Sequence, residues 1–142
     1  MRYLGIDLGS KTVGLAMSDP TATIASSFKT IFFSNEDYKS TIPEIKQIVT
    51  DYNIKKIILG LPKNMNNTIG YKGELSYKFR DMLEEKTNLK VNLVDERLTT
   101  KQATDLLISN DTSRKKRKKV VDTMAATIIL QSYLDLMKGR ER

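Results

Sequence analysis

The stretch Ile54-Lys-Lys-Ile-Ile-Leu-Gly-Leu61 constrains the fold of this chain more than any other. It ends in a near-continuous apolar run. A strand of that composition has no face to leave in water, so it reads as a buried parallel strand that needs cover on both sides. Its flanks supply the cover. Upstream, Ile45, Ile48, Val49 and Tyr52 form one apolar helical stripe, with Pro43 in the first turn and Thr41 and Glu44 at capping-box spacing. Downstream, an Asn- and Gly-rich loop over 62–73 leads to a helix with Leu75, Phe79, Met82 and Leu83 on one side, and then to a strand over 90–96.

The start of the chain is different. Residues 2–8 and 12–18 read as strands joined by the turn Gly9-Ser10-Lys11, and a third strand falls near 24–33, followed by polar loop over 35–38. After the 90–96 strand, Thr99 and Gln102 repeat the capping-box spacing before a short helix bearing Ala103, Leu106 and Leu107. A basic loop and a last helix from about 120 to 137 complete the chain. The class is α/β: a mixed five-stranded sheet with helices on both faces, in the order of a ribonuclease H-like fold. The 142 residues suffice for one domain, 1–142, and show no linker.

Within that fold the first hairpin, "GIDLGSKTVGLAMSD", fits two chemistries. A glycine turn can cradle phosphate, as in sugar kinases, or the carboxylate of Asp7 can hold a metal, as in nucleases. A sugar kinase closes two lobes over its nucleotide and carries such a hairpin in each, whereas this chain has one and no repeat of it. The chain also has no cysteine and no histidine, which excludes disulfides, Cys/His zinc sites and Cys or His nucleophile–base pairs. A metal-activated water is then the natural base near neutral pH. Lys and Arg number 24 against 17 Asp and Glu, a net charge of +7, which suits either a polyanionic partner or solubility alone. No stretch is apolar and long enough for a membrane span, and no signal peptide is evident, so the expected compartment is cytoplasmic.

Three acidic sites stand in apolar surroundings. Asp7 ends the first strand and shares a face with Tyr3 and Gly5, while Leu4 and Ile6 share the other. A turn-initiating Asp is the ordinary explanation for such a residue. Asp95-Glu96-Arg97 ends the 90–96 strand, and the period of two allows only one of Asp95 and Glu96 to face a given site; an ion pair with Arg97 explains either. Asp122 stacks on a helix with Ala126, Ile129 and Tyr133. That helix is apolar almost all round, so a carboxylate in it is costly unless paired or bound to a cation, or unless Asp122 is the helix N-cap. Three hard oxygen donors suit Mg2+ or Mn2+. A pair of such ions hydrolyses phosphodiesters in line, one ion activating water and the other stabilising the leaving oxygen.

The basic run Arg114-Lys115-Lys116-Arg117-Lys118-Lys119 stops three residues before Asp122. It repels itself and stays out of a core; beside a metal site it reads as phosphate contact. The segment "GLPKNMNNTIGYKGE" follows the buried strand at its carboxyl end, where α/β sheets bind ligands. Asn64, Asn66 and Asn67 could bond phosphate or sugar, and Lys63 and Lys72 add charge. Nothing in the sequence marks an aromatic stacking surface.

Four segments, "GIDLGSKTVGLAMSD", "ILGLPKNMNNTIG", "VDERLTT" and "RKKRKKVVDTMAATIILQSYL", occur in the order of the YqgF family, also called RuvX, and span nearly the whole chain. The chain resembles that family. The resemblance implies a ribonuclease H-like fold, divalent-metal nuclease chemistry with Mg2+ or Mn2+, and a role in maturing the 5′ end of the small-subunit ribosomal RNA precursor in the cytoplasm. It places the family's acidic residues on Asp7, on Glu96 rather than Asp95, and on Asp122. Two positions depart from the family pattern: Thr12 stands where Arg is frequent, and Asn64-Met65-Asn66-Asn67 stands where the loop usually reads NMDG.

The resulting expectation is a single-domain metal-dependent nuclease. Asp7, Glu96 and Asp122 hold the ions, and Lys11, Asn64, Asn66, Arg97 and the 114–119 run position the nucleic-acid backbone. Its partners would be an RNA precursor or branched DNA and the ribosomal small subunit, with no membrane, and the protein itself a monomer or homodimer. A resolvase of four-way DNA junctions and a non-catalytic RNA-binding assembly factor are the rival readings.

Overall fold

The computed structural model describes residues 1–34, 37–61, 71–95 and 114–141, the side chains of 71–72, 114–123 and 138–141 excepted. Five strands form one sheet: β1 (Arg2–Leu8), β2 (Thr12–Ser18), β3 (Ala25–Phe32), β4 (Ile54–Leu61) and β5 (Val91–Asp95). Their order across the sheet is β3-β2-β1-β4-β5. The β1–β2 and β2–β3 pairs are antiparallel, while β1–β4 and β4–β5 are parallel. Among the described residues three α-helices accompany them: α1 (Ile42–Asp51), α2 (Tyr71–Thr87) and α3 (Arg114–Glu141). This is the mixed α/β sheet that the sequence predicts, and β1, β2 and β4 begin and end where the sequence places them.

The helices divide between the faces as the apolar run of β4 demands. On one face Ile45 and Ile48 of α1 and Phe79 and Leu83 of α2 bury against Leu4, Ile6, Ile57 and Leu59. On the other, Ala126, Ile129, Leu130 and Leu134 of α3 bury against Ala16 and Ile58. β4 feeds alternate residues to both cores, which is why its sequence does not alternate.

Three local expectations are corrected. The first is the capping box. Thr41 keeps helical backbone angles (φ −82°, ψ −18°) and makes no side-chain cap bond. Its hydroxyl instead donates to the Tyr38 carbonyl at 2.7 Å. A 3-10 turn over Tyr38–Thr41 runs straight into α1, so the chain is already helical where a cap would stand. The second is the start of α2 at Tyr71, which takes the end of the expected 62–73 loop into the helix. The third bears on the site. The basic run is not a loop, because α3 begins at Arg114. Lys and Arg are good helix formers, and propagation from the packed part of α3 outweighs their mutual repulsion. Asp122 therefore lies in the third turn of α3 and is not its N-cap. The expected short helix after Thr99 falls outside the described residues.

The β2–β3 connection is held by Asp19. Its carboxylate accepts the backbone N–H of Thr23 and of Ile24, each at 2.8 Å, and also bonds the Thr21 hydroxyl. These bonds, the Ile24 N–H foremost, hold its pKa below the ordinary carboxylate range. A lowered pKa means that the turn is fully supported above the unfolded-state value of about 4 and loses that support progressively as pH falls from there through the lower native value. Asp19→Ala, or acidification, is expected to shift the Thr23 and Ile24 amide resonances toward exchange-exposed positions while those of β1 and β4 hold.

Candidate active site at the carboxyl edge of the sheet

Asp7 is half-buried near the end of β1, paired opposite Gly14 of β2. The parallel registers align Ile6 with Leu59 and Leu59 with Leu93, so Leu8, Leu61 and Asp95 reach one edge together. β4 and β5 both end at that edge. Glu96, Arg97, Asn64 and Asn66 lie outside the described residues, but Glu96 immediately follows the last residue of β5. Lys11 is exposed in the β1–β2 turn at the same edge. Gly9 closes that turn, its N–H donating to the Thr12 carbonyl at 2.7 Å.

The face occupied by Tyr3, Gly5 and Asp7 is the α3 face. Tyr3 meets Tyr133 edge-on, with ring centroids 6.2 Å apart. Gly5 lies so close to α3 that a Cβ there would stand 2.7 Å from the Cβ of Leu130 and 2.9 Å from the Ala126 carbonyl oxygen. From Tyr3 to Gly5 the contact on α3 thus moves from residue 133 toward 126, and helix and strand run antiparallel. Two strand residues advance about 6.7 Å and one helix residue about 1.5 Å, so each strand pair spans four to five helix residues. One further step brings Asp7 level with the α3 backbone near residues 122–124. The Ala126, Ile129 and Tyr133 stripe is buried, as the helical spacing requires. The structure describes the backbone of Asp122 and of Arg114–Lys119 and not their side chains. Among the described residues no group of three His, Cys, Asp or Glu side chains could hold a metal ion.

Two features are not legible in the sequence. The Tyr133 hydroxyl accepts from Lys56 Nζ and from Asn92 Nδ2, each at 2.9 Å, and the Lys56 ammonium lies 5.5 Å from the Tyr3 ring centroid. The bond to Tyr133 raises the Lys56 pKa. This network pins the part of α3 beyond the site to β4 and β5; only the stacking of Tyr133 with Asp122 hinted that Tyr133 faces the sheet. The second feature is Phe32, which is 70% exposed on the edge strand. A register shift against β2 at Leu15/Ala16 breaks the alternation of β3, so no period reveals which of its aromatics points outward.

Sheet order, mixed pairing and helices on both faces define a ribonuclease H-like α/β protein. Thermus thermophilus RuvC bound to a Holliday junction superposes on it with a TM-score of 0.63 at 15% identity, over 98% of this chain and 97% of that one. The fowlpox virus Holliday junction resolvase does so with 0.59 at 18% identity, over 96% and 99%. The chain belongs to the RuvX family, described as Holliday junction resolvase, which it matches over residues 1–136. Its relatives include proteins of Bacillus subtilis, 49% identical over 95% of this chain and 98% of that protein, and of Clostridium beijerinckii, 48% identical over 99% and 100%. Both carry the provisional name pre-16S rRNA nuclease. Among the described residues no helix is long and apolar enough to cross a membrane.

Proposed function

We propose that this protein is a divalent-metal-dependent nuclease that processes the 5′ end of the small-subunit ribosomal RNA precursor in the cytoplasm. Near-full-length identity of almost half to relatives named as pre-16S rRNA nucleases carries the reading. Asp7, Glu96 and Asp122 are the proposed ligands. The donor set fits: Asp7 is a half-buried carboxylate facing a helix whose third turn contains Asp122, and the three candidate ligands are all carboxylates, the hard oxygen donors that Mg2+ or Mn2+ prefers. A bound cation of this class lowers the pKa of water and offsets charge at the phosphate. Asp7, Glu96 and Asp122 would hold the cation at the carboxyl edge, where Asp7 stands near the end of β1 on the face that α3 covers. Lys11, Asn64, Asn66, Arg97 and Arg114–Lys119 are the proposed backbone contacts, which hold the strand so that the scissile phosphate meets the carboxylates.

The family's description favours a second reading, resolution of four-way DNA junctions. A resolvase must present two sites, so it requires a dimer, and a protein that stays monomeric on the junction excludes it. The deciding assay uses end-labelled RNA spanning the precursor's 5′ junction beside a matched four-way DNA junction, each with Mg2+, Mn2+ or EDTA. Metal-dependent cutting of the RNA supports the ribosomal reading, cutting of the junction alone supports the resolvase, and binding without any cutting leaves an assembly factor.

The basic run gives a separate prediction. Each phosphate neutralised adds about one unit to the slope of log K against log salt, somewhat less on single strands. Exchanging Lys115, Lys116, Lys118 and Lys119 for Gln is expected to lower that slope by two to three and to weaken RNA binding about a hundredfold at low salt, measured by fluorescence anisotropy across a salt series. An unchanged slope would remove the run from the interface.

A further inference from the structure

We infer that Phe32 is a stacking platform for an unpaired base of the single-stranded RNA whose phosphate reaches the carboxylate edge; this rests on the nuclease reading above. Phe32 is the last residue of β3 and pairs opposite Thr12, which in turn bonds Gly9 at the β1–β2 turn. On the sheet, Asp7, Gly14 and Thr30 form one cross-strand row, Leu8, Val13 and Ile31 the next, and Thr12 and Phe32 lie in the row beyond, two rows closer to the edge. Residues two apart on a strand share a face, so Phe32 emerges on the side of Asp7 and α3. Two strands and two residues separate them, about 12 Å between Cα atoms and hence a few nucleotides along a bound strand.

The surroundings of Phe32 suit a base. At 70% exposure its ring belongs to neither core, unlike Phe28 and Ile31 of the same strand, which pack with α1 and α2. Lys11 is exposed beside it, and the Lys11 carbonyl accepts the N–H of Phe33 at 3.0 Å, fixing the turn against the end of β3. On this side α3 descends along β3. Gln131 Oε1 accepts the Ala25 N–H at 2.8 Å, and the Thr127 and Ser27 hydroxyls are 3.0 Å apart. Continuing at that rate carries the end of the 114–119 run to the level of Phe32. An exposed ring between a lysine turn and a cationic helix start, next to a phosphodiester site, has the make-up of a single-strand platform: cations follow the backbone and the ring takes a base. A paired base offers no free face to it, which selects unpaired RNA.

The test uses a short RNA with 2-aminopurine three nucleotides from the junction, bound in EDTA so that no cleavage intervenes. Phe32→Leu keeps an apolar side chain without a stacking face, and Phe32→Trp keeps the face. The expected result is quenching of 2-aminopurine by the parent and by Phe32→Trp, its loss in Phe32→Leu, and binding about 5- to 100-fold weaker in the Leu variant. Quenching and affinity unchanged in Phe32→Leu would overturn the inference. So would a drop in molecular mass of that variant by sedimentation, which would assign Phe32 to a contact between two copies through the open β3 edge. Metal-dependent cleavage, measured separately, keeps the two readings apart: cutting with no Phe32-dependent quenching removes the platform alone, and quenching with no cutting removes the nuclease alone.

Discussion

Asp7→Asn is expected to lower metal-dependent RNA cleavage by about a thousandfold or more, while the protein stays folded and still binds RNA. A carboxylate that holds a catalytic cation contributes several kcal/mol of transition-state stabilisation, and each 1.4 kcal/mol is tenfold in rate. The amide is nearly isosteric, and Asp7 is only half-buried at the end of a strand, so β1 keeps its pairing with β2 and β4. Glu96→Gln and Asp122→Asn are expected to behave in the same way. A second readout separates metal binding from structure. Mg2+ that binds only the folded parent raises its thermal midpoint by mass action, and the Asp7→Asn protein should show no such rise at the same ion concentration. A variant that has lost cleavage along with its circular dichroism spectrum would make Asp7 a structural carboxylate, and a variant that still cuts would move the site elsewhere.

The reasons to single out Asp7 and Asp122 differ in how far the sequence reveals them. Asp7 sits on a strand whose alternation is plain: Leu4 and Ile6 point to one core, and Tyr3 and Gly5 to α3. Period two therefore assigns Asp7 its face without further information. Asp122 is harder. The apolar helix around it is legible, but six cations look like a break in any helix, and they hide where α3 begins. The structure extends α3 back to Arg114, which removes helix capping as an explanation for Asp122. Propensity, which favours Lys and Arg in helices, pointed the right way, and charge repulsion pointed the wrong way. The Thr41 cap fails for a related reason, because local spacing cannot show that a 3-10 turn already occupies the position before α1. Phe32 and the Lys56–Tyr133–Asn92 network arise only from tertiary placement. A β-bulge shifts the phase of β3, and three residues far apart in the chain meet at one hydroxyl.

Gly5 carries the second large effect. Among the seven glycines of the sequence it is one with no visible duty, two residues before a metal-site candidate that draws the attention. In the fold it sets how close α3 lies to β1. The Cβ of Gly5→Ala would stand 2.7 Å from the Leu130 Cβ and 2.9 Å from the Ala126 carbonyl oxygen, neither of which is the end of a flexible side chain. Helix and strand must then separate, in a region where Ala126, Ile129 and Leu130 are fully buried. Overpacking of this kind costs about 1–3 kcal/mol, and the rigid partners here place Gly5→Ala at the upper end. The expected outcome in urea is a midpoint lowered at unchanged slope. Gly9→Ala is the comparison. Its added Cβ would meet Thr12 at 3.1–3.2 Å in a half-exposed turn that can give, so a much smaller loss is expected. The effect of Gly5→Ala also extends to the chemistry. The same contact fixes the level of α3 against β1, and with it the approach of the Asp122 backbone to Asp7. Cleavage by Gly5→Ala should therefore fall at temperatures where the protein is still folded, and higher Mg2+ should recover part of it, since a loosened ligand set weakens affinity before it abolishes rate. Loss of stability with full cleavage at saturating and low Mg2+ alike would show that Gly5 serves the packing of α3 and not the spacing of the carboxylates.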